Sequence, residues 1–276
     1  MNIKAFLNIL KINLVLIIIF FFSFYSKVFS HELWLEPQSF YYDFNENIET
    51  HIKIGQNLDG ATFGFLNKYK KKLYIENKNK IINLNLRDGD YPAIQLKIQN
   101  YNFHILNYET NFESLTYKSF QELRDFIFES GMHEILDIDD FQDLRSESYK
   151  RYAKAILVKE NNSTNDFFIQ ISNLDFEIIP LSNPYEKKNV HFKFKLLSKG
   201  KPMPNWKVKI LSADNVNFFN EFIKTDKNGE GEFKVVNNRK YLLNSVFIKK
   251  NNLIERINLK TDFSSYWASL TFGSKK

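Results

Sequence analysis

The hydrophobic pattern predicts β-strands in the first part of the chain. Over residues 33–107, apolar and polar positions alternate in short runs, as where Ile52 and Ile54 follow His51 and Lys53. Turn sequences rich in Gly, Asn and Asp separate these runs. Period-two alternation places one face of each strand against a core, so this segment predicts a small antiparallel β-sandwich. Its predicted strands include residues 73–76, 81–86, 93–98 and 101–108.

The period becomes helical near Ser119. Ser119 and Glu122 have capping-box spacing, and Gly131 supplies a stop signal. The apolar residues on one face of this helix are Phe120, Leu123, Phe126 and Ile127. A second helix is predicted from about Ser146, and its apolar side consists of Tyr149, Tyr152, Ala153 and Ile156. Residues 117–158 are therefore predicted to form a helical insert.

Strand signals resume at Phe167 and continue to the end of the chain. Predicted strands cover residues 176–179, 190–197, 206–211, 232–236, 241–248, 254–259 and 266–272. This density of strands predicts an immunoglobulin-like sandwich. The expected fold is mainly β, with two β-sandwich domains, the C-terminal one immunoglobulin-like, and a helical insert between them. The predicted units are a leader (1–30), an N-terminal domain (31–116), the insert (117–158) and a C-terminal domain (159–276).

The leader has the pattern of a cleavable export signal. Lys4 and Lys11 precede an apolar run too short for a comfortable membrane span, and Val28 and Ser30 are the small residues that signal peptidase accepts. Cleavage after Ser30 would make His31 the first residue of a periplasmic protein that does not span the membrane. A cut elsewhere, or a leader kept as an anchor, is the alternative.

Charge and cysteine content narrow the function classes. Losing the three lysines of the leader lowers the formal net charge from +6 to +3. The remaining basic residues are dispersed among acidic ones and lack an aromatic stacking platform, so no nucleic-acid partner is expected. The chain has no cysteine. A metal site would therefore use nitrogen, oxygen or Met sulfur, which suits Ni(II), Co(II), Cu(II) or Zn(II).

A newly exposed N-terminal histidine offers one ion both its amine and its imidazole nitrogen. This chemistry makes His31 a candidate metal ligand, and the alternative is that a histidine is the first residue after the cut by chance. His51 and His104 belong to the same predicted domain and are candidates to complete the coordination, together with the carboxylate of Glu32. A lone histidine in a strand is more often half-buried or on the surface than a ligand, so that role stays open for His51 and His104. Trp34 is expected on the face of Glu32, as a packing wall or core residue.

Other motifs fall short of known sites. The segment from His133 to Asp137 lacks the second His of a zinc protease. The acidic residues at 137–143 and the turn at Asp226 lack the closing Glu of a calcium loop. The sequence has no nucleophile elbow, phosphate loop or dinucleotide fingerprint. No enzymatic activity is predicted.

Residues 31–37, His-Glu-Leu-Trp-Leu-Glu-Pro after a signal peptide, resemble the start of a periplasmic family of unknown function. That family is described as the additional periplasmic component of cobalt/nickel uptake transporters, of the NikK/NikM type. Further similar blocks are residues 54–60, 148–155, 183–185, 200–202, 225–229 and 267–272. The resemblance implies a two-part β protein that binds or delivers a divalent metal through His31, with the transporter's membrane component as partner. Many relatives place a His in the penultimate strand, where this chain has Ser-Val-Phe-Ile at 245–248.

Three functions follow from these patterns. The leading one is non-catalytic binding of Ni(II) or Co(II), with Cu(II) chemically suited, as an accessory to metal uptake. The second is an envelope interaction or structural module without a metal role. The third is a copper oxygenase of the histidine-brace type, which needs a second His beside His31.

Overall fold

The computed structural model describes residues 31–98, 101–132, 134–135, 143–160, 167–169, 174–186, 191–214 and 216–274. The leader with its proposed cleavage site lies outside these residues, as do His133 and the acidic positions 137–142. Within the described part of the chain, no helix is long and apolar enough to cross a membrane.

Strands dominate the described residues, which confirms the prediction of a mainly β protein. In chain order the strands are β1 (Glu32–Pro37), β2 (Tyr41–Tyr42), β3 (Asn47–Gln56), β4 (Asp59–Phe63), β5 (Lys70–Asn77), β6 (Lys80–Asn83), β7 (Ile94–Lys97), β8 (Phe103–Thr110), β9 (Glu113–Thr116), β10 (Ser146–Lys159), β11 (Phe176–Pro180), β12 (His191–Ser198), β13 (Lys201–Pro202), β14 (Lys207–Ala213), β15 (Phe218–Lys224), β16 (Glu230–Lys234), β17 (Lys240–Lys250) and β18 (Phe263–Gly273). The α-helices are α1 (Phe120–Glu129) and α2 (Leu253–Leu259), and a 3₁₀ turn covers Asn67–Tyr69.

Three sheets stack in layers. The central sheet has the strand order β15-β14-β17-β18-β10-β8-β5-β6, with β2 and β9 also pairing with β10. A sheet of β1, β3, β4 and β7, here the N-sheet, packs on one face through a core that includes Leu35, Ile52 and Leu157. A sheet of β11, β12, β13 and β16, here the C-sheet, packs on the other face through a core that includes Phe194 and Leu270. Strands from both sides of the predicted insert thus share one sheet, and the proposed domain boundaries stay a prediction.

The helix predicted from Ser146 is wrong, because this segment is β10. It lies in the middle of the central sheet, parallel to β18 and antiparallel to β8. Ala153 and Leu157 face the N-sheet, whereas Tyr152 and Ile156 face the C-sheet. A strand buried on both faces loses the apolar–polar alternation, so its sequence also fits a helix. Tertiary packing overrides the helix propensity of its Ala and Lys residues.

The strand predicted at 254–259 is also wrong, because these residues form α2. Asn252 accepts a hydrogen bond from the Glu255 backbone N–H (3.0 Å), and the Glu255 side chain accepts one from the Asn252 N–H (3.1 Å). This is a complete capping box. The Asn252–Glu255 spacing is a helix signal in the sequence. The apolar residues Leu253, Ile254 and Ile257 led instead to the prediction of a strand.

Helix α1 confirms the prediction for its segment. The Ser119 hydroxyl accepts a hydrogen bond from the Glu122 backbone N–H at 3.2 Å. At the other end, Gly131 has a φ of +71°, and the Met132 N–H donates to the Ile127 carbonyl at 3.1 Å. This geometry closes the helix in a Schellman motif. The buried face of α1 packs beside the N-sheet, on the part of the central sheet that carries Trp267.

Asp262 joins the beginnings of β10 and β18. Its Oδ2 accepts hydrogen bonds from the Ser146 hydroxyl (2.6 Å), the Ser146 N–H (3.0 Å) and the Arg145 N–H (3.1 Å). Partial burial acts to raise the pKa of Asp262, but these hydrogen bonds outweigh it and the pKa lies below 3.8. A carboxyl group with a lowered pKa stabilises the fold above its unfolded pKa and loses this contribution as pH falls through the folded value.

We therefore expect Asp262→Asn to lower the urea midpoint of unfolding at neutral pH. The difference from wild type should shrink as pH falls below 3.8. Urea titrations across this range measure it. A difference that is the same at neutral pH and at about pH 3 contradicts the assignment.

Candidate functional site

Side chains of the central sheet fix β1 in place. The strand pairs with β3 along one edge, and its other edge presents the carbonyls of alternate residues. Three side chains donate to them: Arg151 Nε to the His31 carbonyl (3.1 Å), Ser269 Oγ to that of Leu33 (2.7 Å) and Thr271 Oγ1 to that of Leu35 (2.7 Å). These bonds satisfy an edge that would otherwise be open, and they set where His31 lies.

A small cavity lies where β1 begins, between this strand and the C-terminal end of α1. The central sheet forms its floor. Its lining includes His31, Glu32, Lys209, Asn244 and Trp267. The cavity measures about 20 Å³, counted as the space open to the centre of a water molecule. That is room for a single water-sized species, not for an organic ligand.

Glu32 carries a buried carboxylate into this cavity. The residue is only 5% exposed. Its Oε1 accepts a hydrogen bond from Lys209 Nζ at 3.0 Å, whereas Oε2 is buried without a hydrogen-bond partner in the described chain. Burial raises the pKa of Glu32, although the Lys209 ammonium and the nearby Asn57 N–H act to lower it. Glu32 Oε2 therefore has no donor in hydrogen-bond geometry within the described chain, although the Asn57 N–H is close enough to lower the pKa of the carboxyl group.

Glu36, on the same face of β1, provides a matched contrast. Its Oε1 accepts from Lys240 Nζ (2.8 Å) and its Oε2 from Trp34 Nε1 (2.7 Å), so both oxygens are used. Burial acts to raise the pKa of Glu36, but the hydrogen bonds from Lys240 and Trp34 outweigh it and the pKa is lowered. Trp34 lies between the two glutamates as a fully buried core residue, one of its two predicted roles.

Asn244 is a site residue that the sequence reasoning missed. It is buried in β17, and its Nδ2 has no hydrogen-bond partner in the described chain. A polar side chain inside an apolar strand was the available signal, because burying an amide without a partner costs free energy. Rotation of the amide by 180° would present Oδ1 at the same place. The next residue, Ser245, also lines the cavity. It belongs to the segment 245–248, where many relatives of the resembled family have a His and this chain does not.

The structure keeps His51 apart from His31. In the β1–β3 register His51 lies opposite Glu36, five residues beyond His31, which corresponds to about 17 Å along the strand. Its ring packs near Tyr91, with 5.9 Å between centroids.

His104 is also distant and is engaged elsewhere. It lies opposite Leu157 of β10, six residues or about 20 Å from the Arg151 that binds His31. Its Nδ1 is 2.9 Å from the Tyr42 hydroxyl, and its Nε2 is 3.4 Å from Asn77 Nδ2.

Of the four predicted ligands, the structure brings together only His31 and Glu32. Donors to one ion lie within about 2 Å of it, so His51 and His104 do not share a site with His31 in this arrangement. A histidine brace needs a second His beside His31, and neither His51 nor His104 lies there. Among the described residues, no group of three or more His, Cys, Asp or Glu side chains is placed to bind an ion. Metal binding by His31 and Glu32 stays a prediction.

The central basic residues have roles that the predicted helix concealed. Because β10 is a strand, Arg151 and Lys154 lie on opposite faces of the sheet. Arg151 faces the N-sheet, where its guanidinium also stacks 4.3 Å from the Tyr149 ring. Lys154 faces the C-sheet and forms an ion pair with Glu177. Arg151 is thus a positioning residue for His31, while Lys154 joins two layers of the fold.

A family model described as a domain of unknown function (DUF4198) matches residues 28–248. The match covers β1, α1, β14 and most of β17, and so all the walls of the cavity but Trp267. Its description names neither an activity nor a transporter. No curated protein matches the chain.

Proposed function

The chain belongs to the DUF4198 family of unknown function, and we propose that it binds one divalent transition-metal ion where β1 begins. In this proposal, cleavage after Ser30 frees the amine of His31, which then chelates the ion together with its imidazole. Glu32 adds a carboxylate oxygen. The ion is Ni(II) or Co(II), with Cu(II) also suited to such nitrogen and oxygen donors. The protein would act in the periplasm as an accessory to metal uptake, and its partner would be the membrane component of a cobalt/nickel transporter.

The observation that carries the proposal is the difference between two otherwise matched carboxylates. Glu32 and Glu36 lie on the same face of β1, and each accepts from one lysine of the central sheet. Of these two carboxylates, Glu32 is the one that has a buried oxygen without a hydrogen-bond partner in the described chain, and it is the one that lies beside His31 in the cavity. A buried carboxylate oxygen without a partner is costly, and a bound cation would compensate it.

The surroundings fit a loosely bound ion. The cavity has room for one water-sized species, and its donors are nitrogen and oxygen only. Lys209 is 3.0 Å from Glu32 Oε1, and its positive charge opposes a second cation. Asn244 supplies one further oxygen if its amide rotates. Because the protein offers few donors and a lysine lies nearby, the ion should bind weakly enough to be released to a partner. Such a site suits delivery of the ion better than its storage.

The test is a chelator-competition titration of the processed protein with Ni(II), Co(II) and Cu(II), after intact mass has confirmed that it begins at His31. His31→Ala and a form extended by one N-terminal residue should each bind at least about 100-fold more weakly, since each loses the chelate ring. Glu32→Gln should bind about tenfold more weakly. The matched control, Glu36→Gln, should stay within about twofold of wild type.

Equal affinity in all of these proteins would overturn the proposal. The β-sandwich layers would then be better explained as an interaction module, and partner capture that is insensitive to chelator would support that explanation. A mature chain that begins at a different residue would remove the chelate and with it the proposed site.

A further inference from the structure

Helix α2 presents an apolar face to solvent. It forms the tip of the β17–β18 hairpin and contains no buried residue. Leu253, Ile254 and Ile257 are 75%, 69% and 66% exposed. At 100° per residue these three side chains fall within one 100° arc of the helix. Adjacent large apolar residues with this exposure are typical of a docking surface.

The hairpin tip is firmly built. Asn251 is buried at its base, where its Nδ2 donates to the Thr261 carbonyl (3.0 Å) and its Oδ1 accepts from the Ser264 hydroxyl (2.6 Å). The Asn251 N–H donates to the Asp262 carbonyl at 2.9 Å. Together with the capping box, these bonds define both ends of α2. The apolar face is therefore presented by an ordered element, and it does not fold back onto the protein.

Several basic residues belong to the same hairpin tip as this apolar face. Glu255 forms an ion pair with Lys249, and Asp262 forms one with Arg256 (3.3 Å). Lys199, in the turn between β12 and β13, is close enough for its positive charge to lower the pKa of Glu255. Residues 249–262 contain four basic residues (Lys249, Lys250, Arg256 and Lys260) against two acids (Glu255 and Asp262), and the adjacent Lys199 and Asp175 add one charge of each sign. The tip thus carries an excess of positive charge beside three exposed apolar side chains.

We propose that α2 docks on an anionic lipid surface. In this arrangement the helix lies along the membrane interface, with Leu253, Ile254 and Ile257 among the upper acyl chains and the basic side chains at anionic headgroups. A helix of seven residues gives reversible surface binding without crossing the bilayer. Asn244 lies six residues before the end of β17, so the His31 cavity would be about 20 Å from the docked tip. The docking itself does not depend on metal binding.

The experiment is co-sedimentation of the processed protein with vesicles. One set contains phosphatidylcholine alone and the other contains phosphatidylcholine with phosphatidylglycerol. We expect binding to the anionic vesicles, weakened by salt, and little binding to the neutral ones. Ile254→Glu and Ile257→Glu should each lower partitioning about tenfold or more, because an apolar group no longer enters the interface.

Val216→Glu is the matched control, since Val216 is 87% exposed and follows the end of β14, which pairs with the start of β17 and not with the end that carries this tip. It makes the same charge change and should stay within about twofold of wild type. All three substitutions are on the surface, and unchanged melting temperatures would verify that they fold. Absence of the wild-type protein from anionic pellets, or equal loss in Val216→Glu, overturns the proposal. Capture of α2 by a membrane protein without any vesicle binding also overturns it.

Discussion

Replacing Lys154 by methionine is expected to destabilise the protein by about 3–5 kcal/mol, because it leaves a buried carboxylate uncompensated. Lys154 Nζ lies 2.5 Å from Glu177 Oε2, and the two side chains are 1% and 0% exposed. The pair connects β10 of the central sheet to β11 of the C-sheet. With about 2–4 °C of melting temperature for each kcal/mol in a chain of this size, the midpoint should fall by about 10 °C.

Two comparisons separate this effect from a general intolerance of substitution. Lys193→Met removes the lysine of an exposed pair with Glu232 (3.7 Å) and should cost no more than about 1 kcal/mol. The double variant Lys154→Met/Glu177→Leu replaces both charges by apolar groups and should recover most of the loss. Urea unfolding of the three variants gives the free energies. A Lys154→Met value as small as that of Lys193→Met would show that the buried pair does not stabilise the contact between β10 and β11.

The sequence predicted elements whose signals are local. Strands such as β3 and β12 alternate between buried and more exposed residues, and the cap and stop residues of α1 are its neighbours in the chain, so these elements are predictable from local pattern. The two errors come from packing. β10 is buried on both faces and shows no alternation, while α2 leaves its apolar residues in solvent, where no core explains them. The burial of β10 is determined by strands from distant parts of the chain, and the exposure of α2 by its place at the tip of the β17–β18 hairpin. Neither is encoded in the local pattern.

The candidate site was predictable only in part, for a related reason. His31 and Glu32 are adjacent, so their proximity needs no fold. Lys209 and Asn244 reach the cavity from β14 and β17, through a strand register that local pattern does not encode. The prediction of His51 as a ligand rests on its sharing a predicted domain with His31. Alternation reports which face a residue occupies but not how far along a strand it lies, and here that distance separates the two histidines.

Trp34→Ala is expected to cost about 3–5 kcal/mol, since it opens a cavity under β1. The indole is fully buried against Leu211 and Leu242 of the central sheet. Its Nε1 also donates to Glu36, so a smaller side chain leaves Oε2 of that carboxylate without this bond. Trp34→Phe keeps most of the volume and should cost less, about 1–3 kcal/mol for the lost hydrogen bond. Phe63→Ala, at an exposed position of the same N-sheet, should cost about 1 kcal/mol or less.

The two destabilised variants also separate the fold from the site. An ion that binds only the folded protein raises its melting temperature, and at a fixed ion concentration the rise is larger the tighter the ion binds. Lys154 faces the C-sheet, away from His31, so Lys154→Met should keep the full metal-induced rise although it starts from a lower temperature. Trp34→Ala loosens the strand that carries His31 and Glu32 and should lose most of that rise. Thermal melts with and without Ni(II) measure both, and an equal rise in the two variants would show that the packing of β1 does not determine the geometry of the site.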